Sequence, residues 1–470
     1  MIRTIDFRQK DGKGILMQKN YMTLKKSALL IALAGAMSCQ TAQAANWLMI
    51  QGTEKPNEAP AAKLWGFAQI DYQQTDDTKL PTLTGAAAGL SGTKAAFNQM
   101  APQLDTSSGF NIKRARIGVR GANFPLDKDV NYFLMMEMGN NGITTGGGSQ
   151  GQLVDASVTI NKIDGARVRV GLFKTPGSEE SFKGIPVFNY VNFTNGTDRL
   201  LIEKTVDNST PDGDLPDGVP APARQSDTLY GERTASAFAA RDTGIQVFDT
   251  FKHNDWEVSY AVMYGNGNGL ALTDNDKHKD LYLYGAAEKV FDNSDGPRRH
   301  SLKMYAWSQS GKRTVDNAAY KRDRAGVGMT YFDGKYRAAA EYFTADGMIW
   351  GGPVGGATNT PLSVFTDQTA DAYQLDFGYR VKPNIELNVR YDVLNSATKK
   401  DANTGTAIDK KRVFTTTTLG AQYFFNKKTS ARINYEIRDL TAPTALAGSN
   451  PTKVVDTIDN RLSAQLMVVF

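Results

Sequence analysis

From about residue 63 to Phe470 the chain alternates apolar with polar residues in segments of roughly ten, and it does so some sixteen times. Leu64, Gly66, Ala68, Ile70 and Tyr72 fall on one face of the first segment, Leu64 to Gln73, and Gln69 and Asp71 on the other. A period of two is the signature of a β-strand with two unlike faces. The same reading gives strands at Phe110 to Arg120, from Val130 to Met138, Leu153 to Asn161, Ala166 to Lys174, Thr243 to Phe251 and Trp256 to Tyr264. Further strands are read at Leu281 to Phe291, Ser301 to Ser308, Arg324 to Phe332, Tyr336 to Thr344 and Tyr373 to Val381. The last four are Ile385 to Leu394, Thr415 to Phe425, Thr429 to Arg438 and Arg461 to Phe470.

The connections alternate in length. Short turns at Asp164-Gly165, His253-Asn254-Asp255, Asp333-Gly334, Lys382-Pro383-Asn384 and Asn426-Lys427-Lys428 take turns with long polar loops. A bilayer core holds no water to satisfy backbone N–H and C=O groups, so a chain without long apolar helices crosses it only as a closed barrel. About ten tilted residues span that core. The pattern therefore predicts an all-β fold, a 16-stranded antiparallel transmembrane β-barrel at residues 63–470 with short periplasmic turns and long external loops. An even strand number puts both termini in the periplasm, and the setting is the outer membrane of a Gram-negative bacterium. Outward aromatics at strand ends, Tyr72, Tyr264, Tyr379, Tyr391, Tyr423 and Phe425, suit interfacial girdles in contact with lipid and lipopolysaccharide.

The N-terminus carries an export signal. Lys25 and Lys26 precede an apolar run from Ala28 to Met37, and Ala42-Gln43-Ala44 supplies a small-x-small cleavage pattern. Residues 1–44 are read as a signal peptide, with Met17 or Met22 as alternative starts, and 45–62 as a short periplasmic segment. Cys39, the one cysteine, lies in the leader. Processing also changes the charge. The leader holds seven of the 54 lysines and arginines and two of the 49 acids, so the formal charge of +5 falls to zero in residues 45–470. Binding of nucleic acid through global charge is thereby disfavoured, and any ion preference depends on where charges sit.

Sixteen strands leave a water-filled lumen, so what narrows it matters most. The longest connection, Thr175 to Ala240, follows strand five and is expected to fold inward as a constriction loop carrying Lys183, Arg199 and Arg233 beside Glu179, Glu180, Asp198 and Glu203. An exposed flap over the mouth is the alternative. Ala115, Ile117 and Val119 face outward in strand two, so Arg114, Arg116 and Arg120 face the water. Strand five does the same with Arg167 and Arg169, and Arg324, Arg337, Arg390 and Arg432 lie on the polar faces of their strands. Guanidinium is always charged and offers a planar fork to oxyanions, so such a column attracts anions. Glu137, Asp376, Glu386 and Glu436 also point inward and could pair with some of them. Replacing Arg114 and Arg116 by Ala is expected to weaken anion preference without harm to the fold.

Phe-Asn-Ile-Lys-Arg-Ala-Arg-Ile-Gly-Val-Arg-Gly at 110–121 and Val-Arg-Val-Gly-Leu-Phe-Lys-Thr-Pro at 168–176 resemble the early strands of the phosphate-selective porin O and P family. The resemblance implies a homotrimeric channel whose inward arginines and lysines conduct anions, with Arg114, Arg116, Arg167, Arg169 and Lys174 at matching positions. A central lysine cluster of that family is not placed, and loop five offers only Lys312, Arg313 and Lys321. Phe470 resembles the terminal aromatic through which the barrel-assembly machinery handles outer-membrane proteins. The expected function is passive diffusion of small hydrophilic solutes, anions such as phosphate above others. A general or cation-preferring porin, a barrel plugged for structural or adhesive use, and an outer-membrane enzyme are the rivals. Catalysis lacks a constellation, because His253, His278 and His300 fall far apart and the Gly265 to Gly269 stretch is followed by no helix. Asp274, Asp276 and Asp280 read as a solvated loop rather than a metal site, and no cofactor is implied.

Overall fold

The computed structural model describes residues 47–50, 60–98, 107–122, 127–141, 151–202, 239–274, 276–292, 298–315, 318–350, 364–365, 367–398 and 411–470. Sixteen strands close on themselves, each pairing antiparallel with its neighbours in chain order. They are β1 Lys63–Thr75, β2 Ser108–Ala122, β3 Val130–Glu137, β4 Gln152–Ile160, β5 Arg167–Lys174, β6 Arg241–His253, β7 Trp256–Gly265 and β8 Asp280–Val290. The circuit continues with β9 Ser301–Ser310, β10 Asp323–Phe332, β11 Tyr336–Asp346, β12 Thr369–Lys382, β13 Ile385–Ser396, β14 Arg412–Phe424, β15 Thr429–Thr441 and β16 Arg461–Val469. β1 pairs with β16 at the seam, where Phe470 N donates to Gly66 O at 2.9 Å and Gly66 N to Phe470 O at 3.2 Å. Closure leaves no strand edge to be satisfied by lipid.

Alternation sorts the two faces as expected. Val258, Val262 and Tyr264 on β7 are exposed on the outside, while Glu257, Ser259, Ala261 and Met263 are buried on the inside. Near the short turns, outward rings meet across strands, Tyr336 and Tyr379 stacking at 5.3 Å and Phe251 and Tyr260 at 6.1 Å, and at the end of β14 Tyr423 meets Phe425 edge-on at 4.8 Å. These form the girdle on the short-turn side, with Lys335 5.5 Å from the rings of both Tyr336 and Tyr379.

Strict alternation fails at two bulges that bear on the lumen. Gln69 on β1 opposes Arg114, but Ile70 opposes Ile112, so Lys113 is an extra residue on β2. Both Lys113 and Arg114 are then buried on the inner face. Between β3 and β4 the register slips likewise, and Val154 and Asp155 both turn inward. β5 is held close to β4 at Gly171, whose φ of +128° suits glycine and where an added Cβ would stand 2.1 Å from the Ala156 carbonyl oxygen. Gly171→Ala is expected to lower stability by about 1–3 kcal/mol, the usual cost of forcing atoms into a filled site. The denaturation midpoint, followed by the heat-dependent gel mobility of the refolded barrel, checks this.

The loops after β1, β11 and β15 fold over the long-loop end. Leu80, Leu83, Phe97, Ile349, Leu440 and Val454 belong to one apolar cluster there, and Asn98 Nδ2 donates to Thr457 O at 2.6 Å. At the other end, Trp47–Ile50, part of the stretch expected in the periplasm, reaches into the lumen, where the Leu48 carbonyl accepts from Arg169 at 3.1 Å. The expected leader and Arg233 lie outside the described residues. Residues 123–126, between β2 and β3, lie outside them too. A hairpin of Lys312–Val315 and Ala318–Lys321 rises from loop five, with Lys312 and Lys321 exposed on it and Lys321 paired to Asp346 at 2.7 Å and Asp323 at 3.2 Å.

Candidate functional site

The connection after β5 enters the barrel rather than covering its mouth. Thr175 to Phe182 are buried without interruption, and the path then runs through a helical turn at Glu179–Phe182 to Leu201 against the walls. Residues 175–202 of this loop thus lie inside the barrel. The wall holds the loop largely through cations that donate to its backbone carbonyls. Lys174 Nζ donates to Lys183 O at 2.7 Å, Ser181 O at 3.0 Å and Phe182 O at 3.3 Å. Lys113 Nζ donates to Val191 O at 3.0 Å, Arg432 to Phe188 O at 2.5 Å, Arg390 to Asn192 O at 3.1 Å and Arg324 to Leu200 O at 2.9 Å. Acceptors on the wall complete the seam: Asn434 Oδ1 accepts from Val191 N at 2.7 Å and Asp392 from Asn195 N at 2.9 Å. A hydrogen bond to a charged group is worth about 1.5–3 kcal/mol, so a seam of this length fixes the loop in one place.

Of the residues expected to line the pore, Lys174, Arg324 and Arg432 are therefore clamps. Arg390 is both a clamp and an ion pair, reaching Glu180 at 3.0 Å. Arg337 pairs with Asp376 and, at 3.1 Å, with Glu386. Arg167 meets Asp249 at 3.4 Å, and Arg169 donates to Thr159 Oγ1 at 3.3 Å besides Leu48 O. The pairing of inward arginines with Glu137, Asp376, Glu386 and Glu436 is general: Arg116 reaches Glu137 at 2.7 Å and Arg461 pairs with Glu436. Arg199 stacks on Phe414 at 4.3 Å.

β2 carries the column that descends from loop level toward the short-turn end. Lys113 and Arg114 stand at the loop, Arg116 and Arg120 below it, successive inward positions being about 7 Å apart along a strand. Arg114 Nη1 donates to the neutral Gln69 Oε1 at 2.8 Å, and its guanidinium lies 5.9 Å from the Phe193 ring of the loop. Arg116 sits over Phe67 at 5.6 Å and Arg120 over Trp65 at 5.9 Å. Lys113 meets Asp71 at 3.4 Å. Arg241 on β6 extends the basic wall beside Lys174, held by Asp155 at 3.1 Å.

Several of these groups escaped the sequence reading. Lys113 was hidden by the bulge, because alternation counted from Ala115 assigns it to lipid. Arg241 precedes the strand start read at Thr243, and Arg298, Arg299 and Lys303 belong to the least regular part of the pattern. Burial in the narrowed lumen holds the Lys183 ammonium below the ordinary lysine pKa. No group of three or more histidine, cysteine, aspartate or glutamate side chains is placed to hold a metal ion among the described residues.

A closed barrel with an apolar exterior, a charged interior and a loop folded into that interior is the architecture of an outer-membrane pore. Residues 93–193, from the loop before β2 to the middle of the inward loop, match the family model described as phosphate-selective porin O and P. No curated protein matches the chain in sequence. Among solved structures, the anion-selective porin from Comamonas acidovorans aligns at 13% identity and TM-score 0.49, covering 88% of this chain and 100% of its own. OmpF of Salmonella typhi, in complex with daunomycin, aligns at 13% identity and TM-score 0.49 over 87% and 97% of the two chains. The channel DcaP of Acinetobacter baumannii aligns at 12% identity and TM-score 0.48 over 89% and 99%.

Proposed function

We propose that this porin admits small hydrophilic solutes by passive diffusion and prefers anions, oxyanions such as phosphate among them. The observation that carries the preference is the β2 bulge, which turns Lys113 and Arg114 inward together at the level of the loop. At that level Lys113 is matched by Asp71, while Arg114, whose hydrogen-bond partner is neutral, adds positive charge to the field that a permeating ion meets. Arg114 is the group to change, because its partner there is the neutral Gln69 and its loss strands no carboxylate. Arg114→Gln is expected to lower the chloride-over-potassium permeability ratio roughly fivefold, an effect of about 1 kcal/mol between partly hydrated charges. Reversal potentials of the variant and the unaltered protein under the same salt gradient check it, and an unchanged ratio would remove Arg114 from the account.

Assembly as a homotrimer fits the wall heights. β3, β4 and β5 have 8, 9 and 8 residues against 14 in β12 and 13 in β14 and β15. This low wall presents Leu134, Met136, Val158, Ile160 and Val170 outward and is the side assigned to neighbouring copies. Phe470, exposed at the seam, is the position at which the barrel-assembly machinery would engage the chain. The leader at 1–44 would be removed before assembly.

A further inference from the structure

Between the inward loop and the wall from β8 to β13 lies a cavity of about 130 Å³, with Lys183, Phe188 and Tyr190 of the loop facing Arg298, Tyr305 and Phe332 of the wall side. Its charges are nearly all matched inside the protein. Lys303 pairs with Glu179 at 2.5 Å, Arg390 with Glu180 at 3.0 Å, Arg299 with Glu257 at 2.7 Å and with Glu288, and Arg337 with Asp376. Arg298 reaches Glu386 at 3.3 Å. Glu341 has both oxygens engaged, by Trp307 Nε1 at 3.0 Å, Ser178 Oγ at 2.9 Å and Gln374 Nε2 at 3.2 Å. Lys183 stands apart. Its ammonium lies 5.5 Å from the centre of the Phe188 ring and makes no ion pair or hydrogen bond within the described residues.

We propose that this cavity is a binding subsite for aromatic carboxylates, whose carboxylate meets the Lys183 ammonium while the ring lies among Phe188, Tyr190 and Tyr305. The proposal rests on the anion reading above and names the solute class that this part of the lumen favours. At about 130 Å³ and open on one side, the cavity comes close to the roughly 150 Å³ that encloses a whole benzene ring. Chemistry selects against inorganic phosphate here. A strongly hydrated oxyanion needs several convergent donors to replace its water, and in this cavity the arginine forks already hold carboxylates. One ammonium with rings around it suits instead a singly charged acid with an aromatic body, which gains from ring contacts and from leaving water.

Block of chloride current by benzoate, acetate and phosphate in planar bilayers, at equal concentrations, tests this. Benzoate is expected to block at least several-fold more strongly than acetate or phosphate. Lys183→Gln, which strands no partner, is expected to weaken benzoate block several-fold, and Phe188→Leu to weaken benzoate block while leaving that by acetate unchanged. Benzoate block no stronger than that of acetate, or benzoate block undiminished in Lys183→Gln, overturns the subsite. Cation selectivity of the unaltered channel would instead overturn the anion reading, so the two failures are told apart.

Discussion

Replacing residues 179–201 by a short Gly-Ser bridge will raise single-channel conductance several-fold. This stretch crosses the lumen, with contacts from Ser181 to Lys174 on β5, from Asn192 to Gln73 on β1 and from Asn195 to Thr416 on β14. It therefore displaces water from part of the cross-section that sixteen strands enclose. The wall does not depend on the loop for its own pairing, because every barrel strand is hydrogen-bonded to two neighbours. Lys174, Arg324, Arg432 and Asp392 would lose their loop partners, yet each would then face lumen water and be hydrated. The cost of removing the loop falls on selectivity rather than on closure. Conductance in planar bilayers at fixed salt is the readout, with the folded gel mobility confirming an intact barrel. A conductance equal to that of the unaltered chain would mean that ions already pass elsewhere.

The second large effect is on stability. Arg116→Ala is expected to cost about 3–5 kcal/mol, the usual penalty for leaving one member of a buried ion pair without the other. Glu137 is fully buried, accepts from Arg116 Nε at 2.7 Å, and receives Ala115 N and Gly139 N at 2.8 Å each. Adding Glu137→Gln to Arg116→Ala should recover much of the loss, because the stranded charge is gone while a carbonyl remains for the two backbone donors. Denaturant midpoints of the two single variants and the double variant measure the coupling. A midpoint unmoved by Arg116→Ala would show that lumen water solvates Glu137. This changes the expectation that Arg114 and Arg116 can be replaced together at no cost. Neither touches lipid, but Arg116 answers a buried carboxylate, and only Arg114 leaves a neutral partner behind.

Much of the architecture was legible because it follows from a local rule. A strand that faces lipid on one side and water on the other must alternate, and the segment read at Tyr336 to Thr344 differs from β11 only by two residues at its outer end. The strands extend beyond the alternating stretch mainly at the long-loop ends, as at Thr369–Lys382, where neither face meets lipid and the pattern relaxes. The lumen was less legible for two physical reasons. A bulge shifts the parity of everything beyond it, and nothing local in Asn-Ile-Lys-Arg marks that both Lys113 and Arg114 turn inward. The loop's attachment is non-local. Arg432 is 244 residues from the Phe188 carbonyl that it holds, and Asn192 lies 271 residues from Ser463. Polar faces of strands could be recognised from sequence, but which inward arginines meet a carboxylate, a carbonyl or a ring is fixed by strand neighbours and by the path of the loop. The result is a lumen of mixed charge, in which Lys113 and Arg116 of β2, like the cations opposite, face carboxylates, and Arg114 faces a neutral amide.

Residues 45–470 carry no net formal charge, so the anion preference proposed for the pore depends on where its charges sit. The most direct measurement is the zero-current potential of the purified protein in a planar bilayer separating two KCl concentrations. The expected sign is that of chloride permeating faster than potassium; a potential of the opposite sign, set by potassium, would contradict the anion preference.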